Sequence, residues 1–465
     1  MAILAAAAVP HPPIILSAIG RGEEKRIQKT IDAYRETMRR IAALRPDTAI
    51  ITSPHSILYQ DYFHISPGER AAGDFSQFQH GEIRIEAEYD APFAKALAAR
   101  CAREDFPAGF LGERQAALDH GTMIPLAFLQ EALEEAELSV RVVRIGLSGL
   151  SAGMHYRFGQ YIKECADQIG RRAVFIASGD LSHKLLANGP YGFAKEGPVF
   201  DALACESLGK GDFLRLLTVA PALADGAAEC GLRSFWVMTG ALDRRAVEAE
   251  LLSYEGPFGV GYGVAYLKAG AADEARNIGE QLAAHEAKRL SAIRAKEDAL
   301  VRLARLSLET YAKSHVMVSP PDDLPQELME RRAGAFVSIH KDGKLRGCIG
   351  TILPTRGSLA EEIIHNAVSA GMNDPRFEAV KPKELPDLVY DVDVLAEPEP
   401  IDSAGELDVR RYGVIVQSGD RRGLLLPDLA GVDTVEEQVR IARRKGNIGA
   451  REKVQLWRFE VERHV

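Results

Sequence analysis

The segment Ile3-Leu4-Ala5-Ala6-Ala7-Ala8-Val9-Pro10-His11-Pro12-Pro13 joins an apolar run directly to a histidine that stands between prolines. The same arrangement recurs where Thr48–Thr52 leads to Ser53-Pro54-His55, and where Val174–Ala177 leads to Ser178-Gly179-Asp180-Leu181-Ser182-His183. Short apolar runs of this kind predict buried strands. Side chains just past the carboxyl ends of neighbouring strands in an open α/β sheet meet in one crevice, where ligands bind. The three segments therefore predict such a sheet, with histidines gathered at one edge.

Outside these segments, residues 1 to about 268 alternate short apolar runs with amphipathic helical patterns. The sequence predicts strands over Asp47–Thr52 and Ser139–Gly146, and helices over Glu23–Ala43, Ala91–Arg103, Gly121–Leu133 and Met154–Ile169. Strands that alternate with helices are typical of a layered α/β domain. Its final strand is predicted at the end of a glycine-rich segment, residues 254–266.

The rest of the chain predicts a connector and a second, smaller domain. Residues 269–296 are rich in Ala, Glu, Lys, Arg and Leu. They favour a solvated helical linker over a coiled-coil arm, because no heptad repeat is sustained. Residues 297–465 begin with the helical pattern Ala299–Ser314 and then mix strands, such as Ala335–His340, with further helices. Because no βαβ order is visible, this domain is expected to be α+β.

Length and composition limit the classes of protein to consider. A chain of 465 residues is too long for one ordinary hydrophobic core, so two or three domains are expected. With 46% hydrophobic and 26% charged residues, the composition is that of a soluble globular protein. The 57 Lys and Arg residues against 66 Asp and Glu give a net charge of −9, which argues against binding to nucleic acid.

Cysteines and apolar stretches indicate the compartment. The five cysteines are scattered and form no CxxC pair, which argues against both a disulfide framework and a zinc site made of thiolates. This use of cysteine fits the reducing cytoplasm. The apolar start lacks a basic n-region and runs at once into His11, so we interpret it as a buried strand and not as a signal peptide. No other apolar stretch reaches the roughly 18 residues of a membrane-spanning helix. We therefore expect no membrane association.

His11 and His55 are the best candidates for metal ligands. Each lies beside proline at the end of a predicted strand, and proline disfavours helix and holds the loop extended. Neutral imidazole suits iron, zinc, copper and nickel, and two imidazoles with one carboxylate and open positions favour non-haem Fe(II). We expect Fe(II), with Zn or Cu as alternatives.

The third ligand is predicted in Ala227-Ala228-Glu229-Cys230-Gly231, between a polar loop and an apolar helical pattern. Glu229 would supply the carboxylate, whereas Cys230 would supply a softer thiolate. The two choices imply different chemistry, because a carboxylate favours Fe(II) and oxygen activation and a thiolate favours a softer or stored metal. The sequence leaves this choice open.

Two further histidines are assigned to proton transfer. His120 follows Asp119 directly before a helical pattern, and His183 stands three residues after Asp180. A histidine with its ordinary pKa of about 6.5 accepts a proton at neutral pH and returns it later. Asp119 and Asp180 either orient these imidazoles or cap a helix or turn, and capping is the commoner role of such residues.

Taken together, these motifs resemble a known family. His11-Pro12-Pro13, Ser53-Pro54-His55-Ser56, Asp119-His120-Gly121 and residues 178–183 are similar to the class III extradiol ring-cleaving dioxygenases of the LigB type. The same superfamily includes the Memo-like proteins. The resemblance covers residues 1–268 and implies a three-layer α/β/α domain that holds Fe(II) with two histidines and a glutamate.

Carried over to this sequence, the resemblance implies roles for individual residues. His11 and His55 become metal ligands, with Glu229 as the third. His183 becomes the base that deprotonates a catechol, and His120 becomes an acid or an oxygen-orienting partner. In Memo-like relatives a cysteine stands at the third-ligand position, and here a cysteine adjoins the glutamate.

The resemblance implies a metal-dependent oxidoreductase that acts on a catechol-like aromatic or a related small molecule. A non-catalytic metal-binding or scaffold protein, as some Memo-like relatives are, is the main alternative. A hydrolytic zinc enzyme is the third interpretation, because a zinc-bound water with a histidine base also fits these residues.

The second domain resembles the AMMECR domain through Leu345-Arg346-Gly347-Cys348-Ile349-Gly350, with support from Asn373-Asp374-Pro375-Arg376-Phe377. Arg346 and Cys348 alternate on a predicted strand and so share one face. An arginine beside a thiol lowers its pKa and could make it reactive or anion-binding. The alternative is a small buried cysteine next to an arginine in a structural ion pair.

Fusions of these two domains resemble the AmmeMemoRadiSam system, in which they accompany a radical S-adenosylmethionine enzyme. The resemblance therefore implies such a partner protein. This chain has no cysteine cluster for an iron–sulfur centre, so the radical chemistry would belong to the partner. The sequence is also compatible with an oligomer.

Overall fold

The computed structural model describes residues 2–112, 117–429 and 431–465. The chain divides into two compact units between His285 and Glu286. This boundary falls inside the segment 269–296 that the sequence predicts as a linker. There the last strand of the first unit ends at Ala272, and a helix covers Ile278–Arg294. None of the described helices is long and apolar enough to cross a membrane.

The first unit is built on a mixed sheet. Its strands are β1 Ile3–Val9, β2 Thr48–Ser53, β3 Phe63–His64, β4 Arg70–Phe75, β5 His80–Glu88, β6 Ala108–Gly109, β7 Arg141–Gly146, β8 Ala173–Ser178, β9 Arg245–Glu255 and β10 Tyr262–Ala272. Six of them form one sheet in the order β7-β2-β8-β1-β10-β9. Strands β7, β2, β8 and β1 are parallel, and β10 and β9 complete the sheet with antiparallel pairing. The carboxyl ends of β2, β8 and β1 therefore lie side by side.

Helices cover both faces of this sheet. They are α1 Ser17–Gly20, α2 Gln28–Ala43, α3 Ala91–Arg103, α4 His120–Glu135, α5 Ala152–Gln168, α6 Glu196–Lys210, α7 Phe213–Leu217, α8 Pro221–Ala227, α9 Leu232–Ala241 and, across the unit boundary, α10 Ile278–Arg294. Side chains alternate along each strand, so in β8 Phe175 enters one core with α3, α5 and α9, while Ile176 enters the other core with α2 and α4. The predicted three-layer α/β/α fold is confirmed.

Small residues allow close packing around the centre of this unit. The run Ala5–Ala8 in β1 is fully buried between the two helical layers. Helices α5 and α9 cross at Gly159 and Gly240, where a Cβ added to Gly240 would lie 1.9 Å from the carbonyl oxygen of Tyr156. The crossing thus requires glycine, because any side chain would push the two helices apart.

The second unit contains two antiparallel sheets. Its helices are α11 Ala299–Ser314, α12 Gln326–Glu330, α13 Leu359–Met372 and α14 Val435–Lys445, and its strands are β11 Ala335–Lys341, β12 Lys344–Gly350, β13 Leu388–Leu395, β14 Glu399–Ile401, β15 Gly413–Ser418, β16 Arg421–Leu425, β17 Gln455–Phe459 and β18 Val461–His464. The sheets have the orders β12-β11-β13-β18 and β14-β17-β15-β16. Helices α11 and α13 pack on the first sheet and α14 on the second. The predicted α+β class is confirmed.

Strand β12 lies at the edge of the first of these sheets. A Cβ added to Gly347 would lie 2.2 Å from the carbonyl oxygen of Ala370 in α13, so Gly347 faces the helical layer. Its neighbours Arg346 and Cys348 therefore face the opposite side of the sheet, as the alternation along the strand predicts.

Candidate metal centre

Three histidines converge at the carboxyl ends of the parallel strands. His11 follows β1, His55 follows β2, and His120 is the first residue of α4. Each imidazole contributes one nitrogen to a group in which all three atoms lie within 4.8 Å of one another. The Nε2 atoms of His11 and His55 are 3.0 Å apart. The sheet edge thus brings these histidines together.

His11 is held by residues at and after the end of β8. Its backbone N–H donates to Asp180 Oδ1 over 2.8 Å, and its Nδ1 lies 2.9 Å from Ser178 Oγ. The Ser178 hydroxyl donates to the carbonyl oxygen of Gly121, so its oxygen accepts a hydrogen bond from His11 Nδ1–H. This assignment places the proton on Nδ1 and leaves the Nε2 lone pair directed at the other imidazoles.

Asp119 fixes the position of His120. Its carboxylate caps α4 by accepting from the Thr122 N–H, and it also accepts from the Ser53 hydroxyl. Arg144 on β7 forms an ion pair with it at 3.0 Å. Burial opposes the charge of Asp119, but Arg144 and the hydrogen bonds outweigh burial, so the pKa of this carboxyl lies below its usual range. Asp119 is therefore a charged helix cap.

The surroundings keep His11 and His120 neutral. Burial, and after it the neighbouring His55, lowers the pKa of His11 to about 3. Burial, His55 and His11 in that order lower the pKa of His120 to about 3. A neutral imidazole presents a lone pair to a metal ion, whereas a protonated one cannot bind it. These two imidazoles can therefore each offer a lone pair to a metal cation.

The cluster fits a first-row transition metal. Two ligands about 2.1 Å from one ion and about 90° apart lie about 3.0 Å from each other. This value matches the separation of the Nε2 atoms of His11 and His55. With His120 as a third donor, the set offers the nitrogen ligands that iron, zinc and copper accept.

The structure distinguishes the two residues that the sequence offers as a further ligand. Cys230 Sγ lies 3.7 Å from His11 Nε2 and 3.3 Å from the Asp180 backbone nitrogen, which donates to it. The Glu229 carboxylate instead accepts from the backbone N–H of Leu232 at the start of α9, over 2.7 Å. The first N–H groups of a helix lack partners within it and attract an acidic side chain. Cys230, and not Glu229, is the neighbour of His11.

The thiol of Cys230 is protonated in the absence of a cation. Burial, and after it the negative charge of Asp180, raises the pKa of Cys230 well above its usual value. A bound metal ion would reverse this shift, because coordination deprotonates a thiol. Binding of a metal ion by Cys230 would therefore have to release the proton of the thiol.

His183 lies at the wall of the same crevice. Its backbone N–H donates to the carbonyl oxygen of Ala227, and its ring meets the ring of Tyr191 edge-on, with centroids 5.2 Å apart. Asp180 accepts from the His11 backbone instead, and His183 Nδ1 is buried without a hydrogen-bond partner among the described residues. Burial raises the pKa of Asp180 to about 6.

A cavity of about 710 Å³ opens onto the histidines. Its lining includes His11, His55, His120, His183 and Asp180, the aromatic residues Phe78, Tyr191, Phe258 and Tyr262, and Arg26. The guanidinium carbon of Arg26 lies 4.6 Å from the centroid of the Phe258 ring. Aromatic walls with a few convergent polar groups are typical of a site for a small planar molecule.

Sequence reasoning missed parts of this site. It assigned His120 to proton transfer and did not group it with the candidate ligands; the structure places its ring beside His55, with the two ring centroids 4.1 Å apart. The available signal was its position just after a capping aspartate, which holds a side chain at the first turn of a helix. The aromatic lining carried no such signal, because Phe78 and Tyr191 come from segments far apart in the chain.

In the second unit, Arg346 and Cys348 have different surroundings. Arg346 donates to Glu384 at 3.1 and 3.2 Å and to the carbonyl oxygen of Glu378. It therefore forms the structural ion pair that the sequence analysis considered as the alternative. Cys348 is partly exposed, and its Sγ lies 3.3 Å from Ser338 Oγ.

A mixed-sheet α/β/α unit with an imidazole cluster at the ends of its parallel strands defines a class of proteins that could hold a metal at this edge. The family described as the catalytic LigB subunit of aromatic ring-opening dioxygenase matches residues 5–265. The AMMECR1 family matches residues 301–464. The chain belongs to the LigB family and carries a C-terminal AMMECR1 domain.

Relatives occur in several bacteria and archaea. A protein of Clostridium acetobutylicum is 38% identical over 98% of this chain and 98% of its own length. A protein of Thermotoga maritima is 52% identical over 36% of this chain and 98% of its own length. The crystal structure of a Pyrococcus horikoshii protein covers 35% of this chain and 88% of its own, with 34% identity and a TM-score of 0.34. The first of these relatives spans both units.

Proposed function

We propose that this protein is an Fe(II)-dependent oxidoreductase of the extradiol dioxygenase type, acting on a catechol-like aromatic or a related small molecule. The observation that carries the proposal is the group of three imidazoles at the base of a 710 Å³ cavity with aromatic walls. Membership of the LigB family supports the reaction class.

Residues that line the cavity would have different roles in such a reaction. Phe78 and Tyr191 line the cavity, where they would hold a planar ring. His183 would take the proton of a catechol hydroxyl as the general base, because it lines the same cavity as the imidazole cluster. When bound, the metal supplies Lewis acidity and electron transfer to oxygen.

Metal analysis and oxygen uptake test the proposal. Anaerobically purified protein should contain iron, consume oxygen and form a yellow ring-cleavage product with at least one of a panel of catechols. The variant His55→Ala should lose iron and activity, because it removes a central imidazole. His80→Gln, which changes a histidine that contacts Glu82 on strand β5, is the matched control and should retain both. Iron-free protein with unchanged oxygen uptake would contradict the proposal.

A metal-binding or scaffold protein is the second candidate. The observation that favours it is the Cys230 thiol at 3.7 Å from His11 Nε2, because a thiolate suits a softer or stored metal. Protein that binds iron tightly but takes up no oxygen with any catechol would support this candidate.

We further propose that the AMMECR1 unit works with a radical S-adenosylmethionine enzyme in the cytoplasm. The support is the resemblance of the two-domain fusion to the AmmeMemoRadiSam system. Size-exclusion chromatography of the purified chain mixed with such an enzyme tests the idea. A complex should elute earlier than either protein, and separate elution at micromolar concentrations would contradict direct association.

A further inference from the structure

A buried carboxylate lies behind the loop that carries His183. Asp201, on α6, is 1% exposed, and both of its carboxylate oxygens accept hydrogen bonds. Oδ1 accepts from the backbone N–H of Ser182 over 2.7 Å, and Oδ2 accepts from the Tyr254 hydroxyl over 2.6 Å. A carboxylate is tolerated in the interior only where such donors replace water. Asp201 therefore joins the residue next to His183 to helix α6 and strand β9.

Backbone contacts hold the same loop on its other sides. The Ser182 hydroxyl and the His183 N–H both donate to the carbonyl oxygen of Ala227, over 2.9 and 3.1 Å. The Ser182 carbonyl oxygen accepts from the Gly261 N–H over 2.8 Å. A Cβ added to Gly261 would lie 2.0 Å from Asp201 Oδ2, so the chain between β9 and β10 reaches the carboxylate only because this residue is glycine. Asp201 thus completes a set of contacts that encloses the loop.

The ring of His183 has little support of its own. Its Nδ1 is buried without a hydrogen-bond partner among the described residues, and the ring of Tyr191 that meets it edge-on belongs to a residue that is 60% exposed. An imidazole without an orienting hydrogen bond takes its direction from its backbone and its packing. The direction of the His183 ring in the cavity therefore depends on the loop that Asp201 holds.

The carboxyl of Asp201 is charged at neutral pH and so can accept from both donors. Burial raises the pKa of Asp201 to about 6, while the hydrogen bonds from Tyr254 and Ser182 act in the opposite direction. Above about pH 7 the group is therefore mainly ionised. Hydrogen bonds to an ionised acceptor are roughly twice as strong as neutral ones. Asparagine in this place would have the same shape but only one acceptor oxygen and no charge.

We propose that Asp201 is a positioning residue for His183: its carboxylate fixes the backbone of Ser182 and thereby directs the His183 imidazole into the cavity. The inference rests on the proposed function, in which His183 takes the proton of a catechol hydroxyl. Asp201 is not among the residues that line the cavity, so it acts only through the loop. A misplacement of about 1 Å in a group that transfers a proton can cost about a hundredfold in rate.

Steady-state kinetics of the full-length, iron-loaded protein test the proposal. Asp201→Ala leaves the Ser182 N–H without its acceptor and should lower kcat with a catechol about 10- to 100-fold. KM should change less than about threefold, because the cavity lining is unaltered. Iron content should stay the same, since Ser178 and Asp119 hold the histidine cluster. Asp201→Asn should recover most of kcat, because its amide oxygen can still accept from the Ser182 N–H.

Acylation by diethyl pyrocarbonate reports on His183 without any catalysis. The reagent attacks neutral imidazoles, and peptide mass spectrometry gives the rate at each histidine. In Asp201→Ala the loop should open more often, so the rate at His183 should rise at least about threefold. The rate at His315, an exposed histidine of the second unit, should not change. Wild-type protein that is inactive with every catechol would contradict the proposed function, whereas the acylation rates would still test the role of Asp201.

Asp243→Ala is the matched control. Asp243 is also buried and accepts from the Ile278 N–H and from Gln160, but it holds α10 and α5 and not the His183 loop. This variant should lose stability in urea yet keep kcat and the acylation rate of His183. If Asp201→Ala does not fold, Tyr254→Phe removes one of the two hydrogen bonds and should lower kcat about two- to fivefold. The proposal is overturned if Asp201→Ala, or Tyr254→Phe in its place, leaves kcat and the acylation rate unchanged, or if Asp243→Ala alters both equally.

Discussion

The position of the proton on the His11 ring determines which of its two nitrogens can bind a metal. Because the Ser178 hydroxyl is used as a donor to Gly121, its oxygen holds the Nδ1–H of His11. Nε2 is then the nitrogen that faces His55. Hydrogen bonds of this kind fix the tautomer of a metal-binding histidine and raise its basicity.

Removing that hydrogen bond should weaken metal binding without unfolding the protein. We expect Ser178→Ala to lower the affinity for Fe(II) or Zn(II) about tenfold, measured by competition with a chromophoric chelator. Ser207→Ala is the control, because Ser207 is also buried but its hydroxyl has no hydrogen-bond partner among the described residues. Equal affinity in both variants would show that Ser178 does not set the tautomer.

Spectroscopy can determine whether Glu229 or Cys230 binds the metal. With Co(II) in the site, a bound thiolate should give a near-ultraviolet charge-transfer band, which Cys230→Ser should abolish. Glu229→Gln should keep the band and cost about 1 kcal/mol of stability, because this carboxylate caps α9. A band that survives in Cys230→Ser and is lost in Glu229→Gln would restore the carboxylate as the ligand.

The sequence predicted where the site lies better than what each residue does. His11 and His55 were identified because proline and strand ends restrict the backbone locally, and such effects are visible along a sequence. The sequence could not predict where the side chain of Glu229 points, because this depends on where α9 begins relative to the neighbouring Cys230. Arg346 was paired with Cys348 by alternation alone, whereas its partner Glu384 is distant in the chain.

At the level of elements, the crossing of α5 and α9 positions the loop that carries Cys230. The backbones approach so closely at Gly159 and Gly240 that a methyl group has no room. We expect Gly240→Ala to lower the free energy of unfolding by about 3 kcal/mol, measured by urea denaturation. Gly153→Ala lies in the same helix pair, but there an added Cβ would meet only Ser151 Oγ, at 3.9 Å, so it should leave stability unchanged or raise it by up to about 1 kcal/mol. Similar losses in both variants would contradict this account.

Element boundaries were predictable where caps and periodicity agree. Helix α3 covers Ala91–Arg103 as predicted, because Asp90 caps it by accepting from the Phe93 N–H. Helix α2 begins at Gln28 rather than Glu23, since the residues before it form a 3-10 turn. The pairing of β4 with β5 was not predicted, although Ile83, Ile85 and Ala87 alternate with charged residues along β5 and were a usable signal for this strand, whereas β4 has no such alternation.

At the level of the whole molecule, the second unit should be sensitive to acid. Burial opposes the charge of Glu384, but Arg346 and further partners lower its pKa to about 2. A carboxylate whose folded pKa is depressed stabilises the fold above its unfolded pKa, and this stability is lost as the pH falls towards 2.

Glu384→Gln tests this dependence. We expect the variant to lower the stability of the second unit by about 2 kcal/mol at pH 7 and by progressively less between pH 4.5 and 2. Urea denaturation at a series of pH values measures the difference. Glu378→Gln, which changes an exposed carboxylate whose ion pair among the described residues is with Lys381, should show no such trend. A constant difference at all pH values would contradict the assignment.

The strand order of the first unit has a consequence for how the protein is made. β1 and β2 carry His11 and His55, yet β8 lies between them in the sheet and follows them by more than a hundred residues in the chain. A nascent chain that has left the ribosome only as far as α5 cannot hold these two histidines in their final places. The later strand must insert between the earlier two, so His11 and His55 cannot come together at one sheet edge before β8 has been synthesised.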